Sequence, residues 1–195
     1  MLNKKFKSIF ILICAIFIAE KSFSIEPNIF VQSTVNRASQ ILSEDTSKNE
    51  KIDKLKVIAK ETVDIRGICF YTLGKYRKSL DDIQKDKYSE LFYEYFLKSF
   101  SSRLSEYSNP KIDVQSQEKL NENYTIVSSI LVATETRPEV KIQWRIYTKN
   151  PEKPMIRDLI IEGLSLARTQ KEEFASIIQS NDGDINALAP TAWSK

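Results

Sequence analysis

At Asn109-Pro110 the apolar spacing of this chain changes from a period of about 3.6 residues to one of about 2, and it changes back after Gly163. That pattern constrains the fold more than any motif does. Helices come first, then consecutive strands, then a helix, which makes an α+β fold with helices on one face of a sheet. The strand segments are joined by short connections, among them Arg137-Pro138-Glu139 and Lys149 to Lys153. Parallel strands need long crossovers, so the sheet is expected to be antiparallel and four-stranded.

The local signals are consistent with this reading. Phe30, Val31, Thr34, Val35, Ala38, Ile41 and Leu42 recur at helical spacing behind Pro27, and a polar stretch over 43–47 separates them from a second helix starting near Lys48. Asp64 is placed to cap a short helix through Ile65, Ile68, Cys69, Phe70 and Leu73. Gly74 falls where a residue of positive φ ends a helix, with Lys75 and Arg77 beside that end. Asp81 or Asp82 opens the longest helix, to about Tyr107, whose stripe reads Tyr88, Leu91, Phe92, Tyr95, Phe96, Phe100, Leu104 and Tyr107. The strands are announced by Ile112 and Val114, by 124–133, by Val140, Ile142, Trp144 and Ile146, and by 155–161. A final helix is expected to bury Leu164, Leu166, Phe174, Ile177 and Ile178, with a short helix over 185–188 behind it.

Residues 1–24 read as a cleaved signal peptide. Lys4, Lys5 and Lys7 precede an apolar run of 11 residues, Ile9 to Ala19, and Ser22 and Ser24 are the small residues of a cleavage site. The run is too short to span a bilayer. Cys14 lies inside it rather than at its end, which argues against a lipid anchor; the alternative is an uncleaved N-terminal anchor. Residues 25–195 then form one domain. The leader holds four lysines and Glu20, so the excess of 29 basic over 26 acidic residues belongs to it and the remainder is neutral. Such a balance does not favour nucleic acid as a partner. Cys69 is then the one remaining cysteine, which leaves no internal disulfide and suits a buried thiol. The chain has no histidine, so the usual general base and zinc ligand are missing, and no metal or other cofactor is expected.

Two blocks carry a resemblance. The first is "ETVDIRGICFYTLGKYRKSL", residues 61–80, followed by "YSELFYEYFLKSFSSRLSEY", residues 88–107; the second is "IRDLIIEGLSLARTQKEEFASII", residues 156–178. In order and spacing, Val63-Asp64, Leu73-Gly74-Lys75, the Phe/Tyr helix, Asp158 to Leu166 and Glu173-Phe174 resemble the MlaC family, the toluene-tolerance auxiliary proteins. Gln170-Lys171 stands where that family often carries Tyr-Arg, so no role resting on that arginine transfers. The resemblance implies a periplasmic phospholipid carrier without catalytic activity, a monomer whose apolar cavity lies between sheet and helices. It also implies partners: an inner-membrane ABC transporter complex with its lipid-binding subunit, and an outer-membrane lipoprotein/porin complex.

On that basis the lipid-binding residues are expected among Phe70, Leu73, Phe92, Phe96, Val127, Ile142, Trp144, Leu159 and Ile161. The same stripe and strand face would equally make an ordinary core, because periodicity does not distinguish filled from hollow. Lys75 and Arg77 could meet a phosphate or an acidic surface, or simply complement a helix end. Asp64 reads as a cap, and Asp158 and Glu162 as paired structural carboxylates rather than an acid/base couple. The alternative functions are a periplasmic interaction or scaffold module without lipid, and a small hydrolase of envelope lipids using carboxylate or Ser-Lys chemistry.

Overall fold

The computed structural model describes residues 24–188, so the leader expected over 1–24 lies outside it but for Ser24. Five α-helices occur among the described residues: α1 Pro27–Ser43, α2 Lys48–Thr62, α3 Ile65–Thr72, α4 Asp82–Leu104 and α5 Leu166–Gln179. The strands are β1 Ile112–Asn121, β2 Tyr124–Leu131, β3 Val140–Tyr147, β4 Met155–Ile161 and β5 Leu164–Ser165.

Each helix starts where the local chemistry allows it. Pro27 takes the first turn of α1, whose missing N–H would have had no partner. Ser47 and Glu50 form a capping box on α2, and Asp81 and Gln84 form one on α4. Asp64 accepts the Gly67 N–H at 2.9 Å to cap α3. Gly74, at φ +53°, ends α3 and opens a 3-10 turn over Gly74–Lys78. A close approach adds to the demand for glycine there: a Cβ would come within 2.9 Å of Lys171 Cε.

The sheet is an antiparallel meander in the order β1-β2-β3-β4-β5. It has five strands, where the periodicity predicts four. Glu162 and Gly163, at φ +48° and +83°, turn the chain in two residues, so Leu164-Ser165 folds back and pairs Ile160↔Ser165 and Ile161↔Leu164. A two-residue strand has no period to read. Leu164 and Leu166 were expected to be buried and are instead exposed, at 58% and 42%, because they lie on this hairpin and the first turn of α5 rather than on its inner face. That face is Ala167, Phe174 and Ile178.

Val127, Ile142, Trp144 and Ile146 point from the sheet into the core, where α1 meets β1 and β2, and α3 and α5 meet β4. At the other end of β4, Val63 bridges Ile156 in parallel and the Asp64 N–H donates to the Ile156 carbonyl at 2.9 Å. The α2–α3 junction is thereby tied to the sheet edge. Helix α4 ends at Leu104, short of Tyr107, and packs mainly on α2 and α3 rather than on the strands. Its buried residues are Tyr88, Phe92, Leu97 and Ser101, while Leu91 and Tyr107 of the expected stripe are exposed. The stripe is rotated because α2 and α3 claim the side of the helix that carries Leu97.

Candidate functional site

Between α4, α5 and the inner face of β3 and β4 lies an apolar cavity of about 280 Å³. Its roof is Phe92, Phe96 and Phe100, and its floor is Trp144, Ile156 and Leu159. The roof rings are ordered by one another. Phe92 and Phe96 centroids lie 6.2 Å apart, Phe96 and Phe100 lie 5.3 Å apart at 12° between planes, and Phe174 of α5 meets Phe92 edge-on at 6.3 Å. These rings sit on α4 at steps of four residues, so one helix face supplies the roof. A second lobe of about 140 Å³ continues toward α1 and α2, between Leu42, Leu55, Ile58, Ile142 and Ile161. The lobes share Val63, Phe100, Trp144, Ile156 and Leu159 as common wall. The larger lobe alone is near the lower bound of small-molecule sites, about 300 Å³.

The polar groups of the site sit at its edges. Ser99, Arg103, Thr169, Gln170 and Glu173 fringe the opening between α4 and α5, and Tyr95 Oη donates to Gln170 Oε1 at 3.0 Å across it. Burial, reinforced by nearby Glu173, pushes the Tyr95 phenol upward, so it stays neutral and able to donate. Inside, the Trp144 indole N–H donates to Ser129 Oγ at 2.8 Å, which leaves the ring's face free to be apolar wall. Asp158 is 4% exposed and committed to structure. It accepts from Ser165 Oγ at 2.6 Å and the Ala167 N–H at 3.0 Å, fixing the start of α5, with Arg145 at 3.7 Å. Glu162 accepts the Lys141 N–H instead. The two carboxylates therefore have separate structural partners.

Cys69 is buried, and its thiol is pushed up to about 11 by that burial, against small opposing effects of Ser89 and Arg66. Such a thiol is not a nucleophile at neutral pH. No cluster of metal-ligating side chains occurs among the described residues.

Of the nine residues singled out from the sequence, Phe92, Phe96, Trp144 and Leu159 line the larger lobe, and Ile142, Trp144, Leu159 and Ile161 the smaller. Leu73 and Val127 sit in close-packed core, at 1% and 0% exposure. Phe70 lies outside both lobes beneath Arg66 and Arg77. Phe100 was visible on the aromatic stripe as a further wall residue. Nothing in the sequence marked Val63 and Ile156 as wall residues, because a single parallel bridge between distant segments places them there.

An α+β domain with an aromatic helix standing off an antiparallel meander, and an apolar two-lobed space between them, is the class of protein this geometry defines. Residues 32–191 match the family model described as MlaC protein, and the chain belongs to that family. Seven chains of solved structures match it. One is described as the phospholipid-binding protein from Ralstonia solanacearum in complex with a phospholipid; it covers 85% of this chain and 94% of its own, with a TM-score of 0.70 and 16% identity. At that identity the likeness is one of fold. No curated protein sequence matches the chain.

Proposed function

We propose that this protein is a periplasmic phospholipid carrier that buries acyl chains between α4, α5 and the sheet. The observation that carries the reading is the two-lobed apolar cavity, roofed by Phe92, Phe96 and Phe100 and fringed by polar side chains at one opening. The family and the fold shared with a phospholipid-binding protein support it. A methylene leaving water for such a space contributes about 0.8 kcal/mol, so even ten give about 8 kcal/mol gross, near micromolar affinity. The head group stays outside the apolar space, where its charge costs little to keep hydrated. In this reading the monomer docks in turn to an outer-membrane lipoprotein/porin complex and to an inner-membrane ABC transporter with its lipid-binding subunit.

Release follows from the packing. Helix α4 is held mainly by other helices, so α4 can shift from the sheet without breaking strand pairing. A covalent crosslink pinning α4 to β3 is expected to abolish transfer between vesicles; transfer at the uncrosslinked rate would refute this route. The direct test of the function is native mass spectrometry of the protein purified without detergent. One phospholipid per chain is the expected result. A clean lipid-free mass, unchanged after incubation with liposomes, would overturn the reading and favour a scaffold module. Lipid hydrolysed on incubation would make the protein an enzyme.

A further inference from the structure

The outer side of α3 carries a different feature. A wide surface cleft runs past α3 and the 3-10 turn, and its walls hold six cations, Arg66, Arg77, Lys78, Lys85, Arg157 and Lys171, against a single carboxylate, Asp64. Asp64 is committed to Arg157, with its Oδ2 2.6 Å from Nη2, and Lys85 is paired with Asp82. The remaining four, Arg66, Arg77, Lys78 and Lys171, form no ion pair among the described residues.

Three of these four are supported by rings rather than by acids. The guanidinium carbons of Arg66 and Arg77 lie 5.5 and 4.8 Å from the Phe70 centroid, and Lys171 Nζ lies 5.0 Å from that of Tyr71. Lys171 reaches this position by passing over Gly74, which has no side chain to block it. Cations gathered this way repel one another, and a bound anion would relieve that repulsion.

The cleft also adjoins the lipid site. It shares Gly67, Tyr71 and Arg157 with a polar pocket beside Tyr124 and Arg145, and that pocket shares Ile68, Asp158 and Ala167 with the cavity wall. The start of α3 therefore stands between the apolar cavity and the unpaired cations.

We infer that this cleft is a phosphate site. The Arg66 and Arg77 forks match the oxygens of a phosphate group, and Lys78 and Lys171 add point charge. The phosphate comes either from the head group of a lipid whose chains occupy the cavity, which rests on the carrier reading, or from free phosphate in solution.

The test uses Arg77→Gln combined with Lys171→Gln, and Lys78→Gln alone. Inorganic phosphate is titrated into the purified protein with the amide resonances of residues 66–78 as readout. The ³¹P resonance of lipid loaded from phosphatidylglycerol vesicles is recorded in parallel. Saturable amide shifts, weakened about tenfold or more in the double variant, are the expected result. With a head-group source, the ³¹P resonance of loaded lipid also moves in the variant; with a free-phosphate source it does not. If neither phosphate responds to substitution while lipid still loads, the site is refuted and the carrier stands. If no lipid loads but phosphate binding weakens in the variant, the carrier fails and the site stands. Loss of only co-sedimentation with anionic vesicles would refute the site and make this face a membrane-docking surface. Should the double variant shift the urea midpoint, the exposed Lys78→Gln gives the same reading.

Discussion

Gly67 sits in the first turn of α3 with helical backbone, and general helix propensity says that alanine there should stabilise the protein by about 1 kcal/mol. The structure reverses the sign. A Cβ at Gly67 would lie 2.5 Å from Asp64 Oδ2 and 2.9 Å from Arg157 Nε. Neither neighbour can easily yield. Asp64 Oδ1 accepts the Gly67 N–H, while Oδ2 accepts Arg157 Nε at 2.7 Å. Arg157 Nη1 also donates to Tyr124 Oη at 2.7 Å, and its guanidinium carbon lies 3.8 Å from the Tyr147 ring centroid. Burial opposes the Arg157 charge, but the Asp64 and Tyr124 hydrogen bonds outweigh it and hold its pKa up. To admit the methyl, the carboxylate must move by most of an ångström, which loosens the cap, about 1 kcal/mol, and a half-buried charged hydrogen bond, about 1.5–3 kcal/mol. After the gain in propensity, Gly67→Ala should destabilise by about 1.5–3 kcal/mol, or a Tm drop of about 3–12 °C for a chain of this size. Urea unfolding followed by the fluorescence of buried Trp144 measures it. In an Arg157→Ala background the same substitution should cost clearly less, since one of the two clashing groups is gone. A Gly67→Ala protein as stable as the parent would refute the clamp.

Phe92, 1% exposed and in ring contact with Tyr88, Tyr95, Phe96 and Phe174, should cost about 3–5 kcal/mol when cut to alanine, read from urea midpoints. Leu159 lines both lobes, so Leu159→Trp should lower the phospholipid carried per chain by native mass spectrometry while the circular dichroism spectrum stays native. The Cys69 thiol stands near 11 against an ordinary 9.0, so the folded state keeps a proton that the unfolded chain loses; stability is complete below pH 9 and falls from pH 9 toward 11 by about 1.4 kcal/mol per unit. Cys69→Ala should flatten that fall between pH 9 and 10; above pH 10 Tyr88, also raised chiefly by burial, adds its own loss.

Element type and order were legible because they depend on local properties. Backbone geometry sets the periods of helix and strand, and a cap is satisfied within three residues, as at Asp64 and Asp81. Gly74 was legible for the same reason as a helix end, but its second role, passing Lys171, needed a residue 97 positions away. The aromatic stripe pointed to α4 as one wall of the site. It did not reveal that Leu97 would be buried and Leu91 exposed, since neighbouring helices decide which arc of a cylinder is covered.

Val127 and Ile142 show where sequence stops. Both are β-branched, both point inward from the sheet, and Val127 is paired with Trp144 itself. One is close-packed core, while the other lines a lobe. The chain by itself determined the α+β order, the caps, the inward-facing strand residues and the aromatic face. Only the tertiary structure decided the fifth strand, the cation cleft and the division between core and cavity. Those depend on how far α4 stands from β3 and β4, a separation set by its packing on α2 and α3 rather than by any residue's own preference.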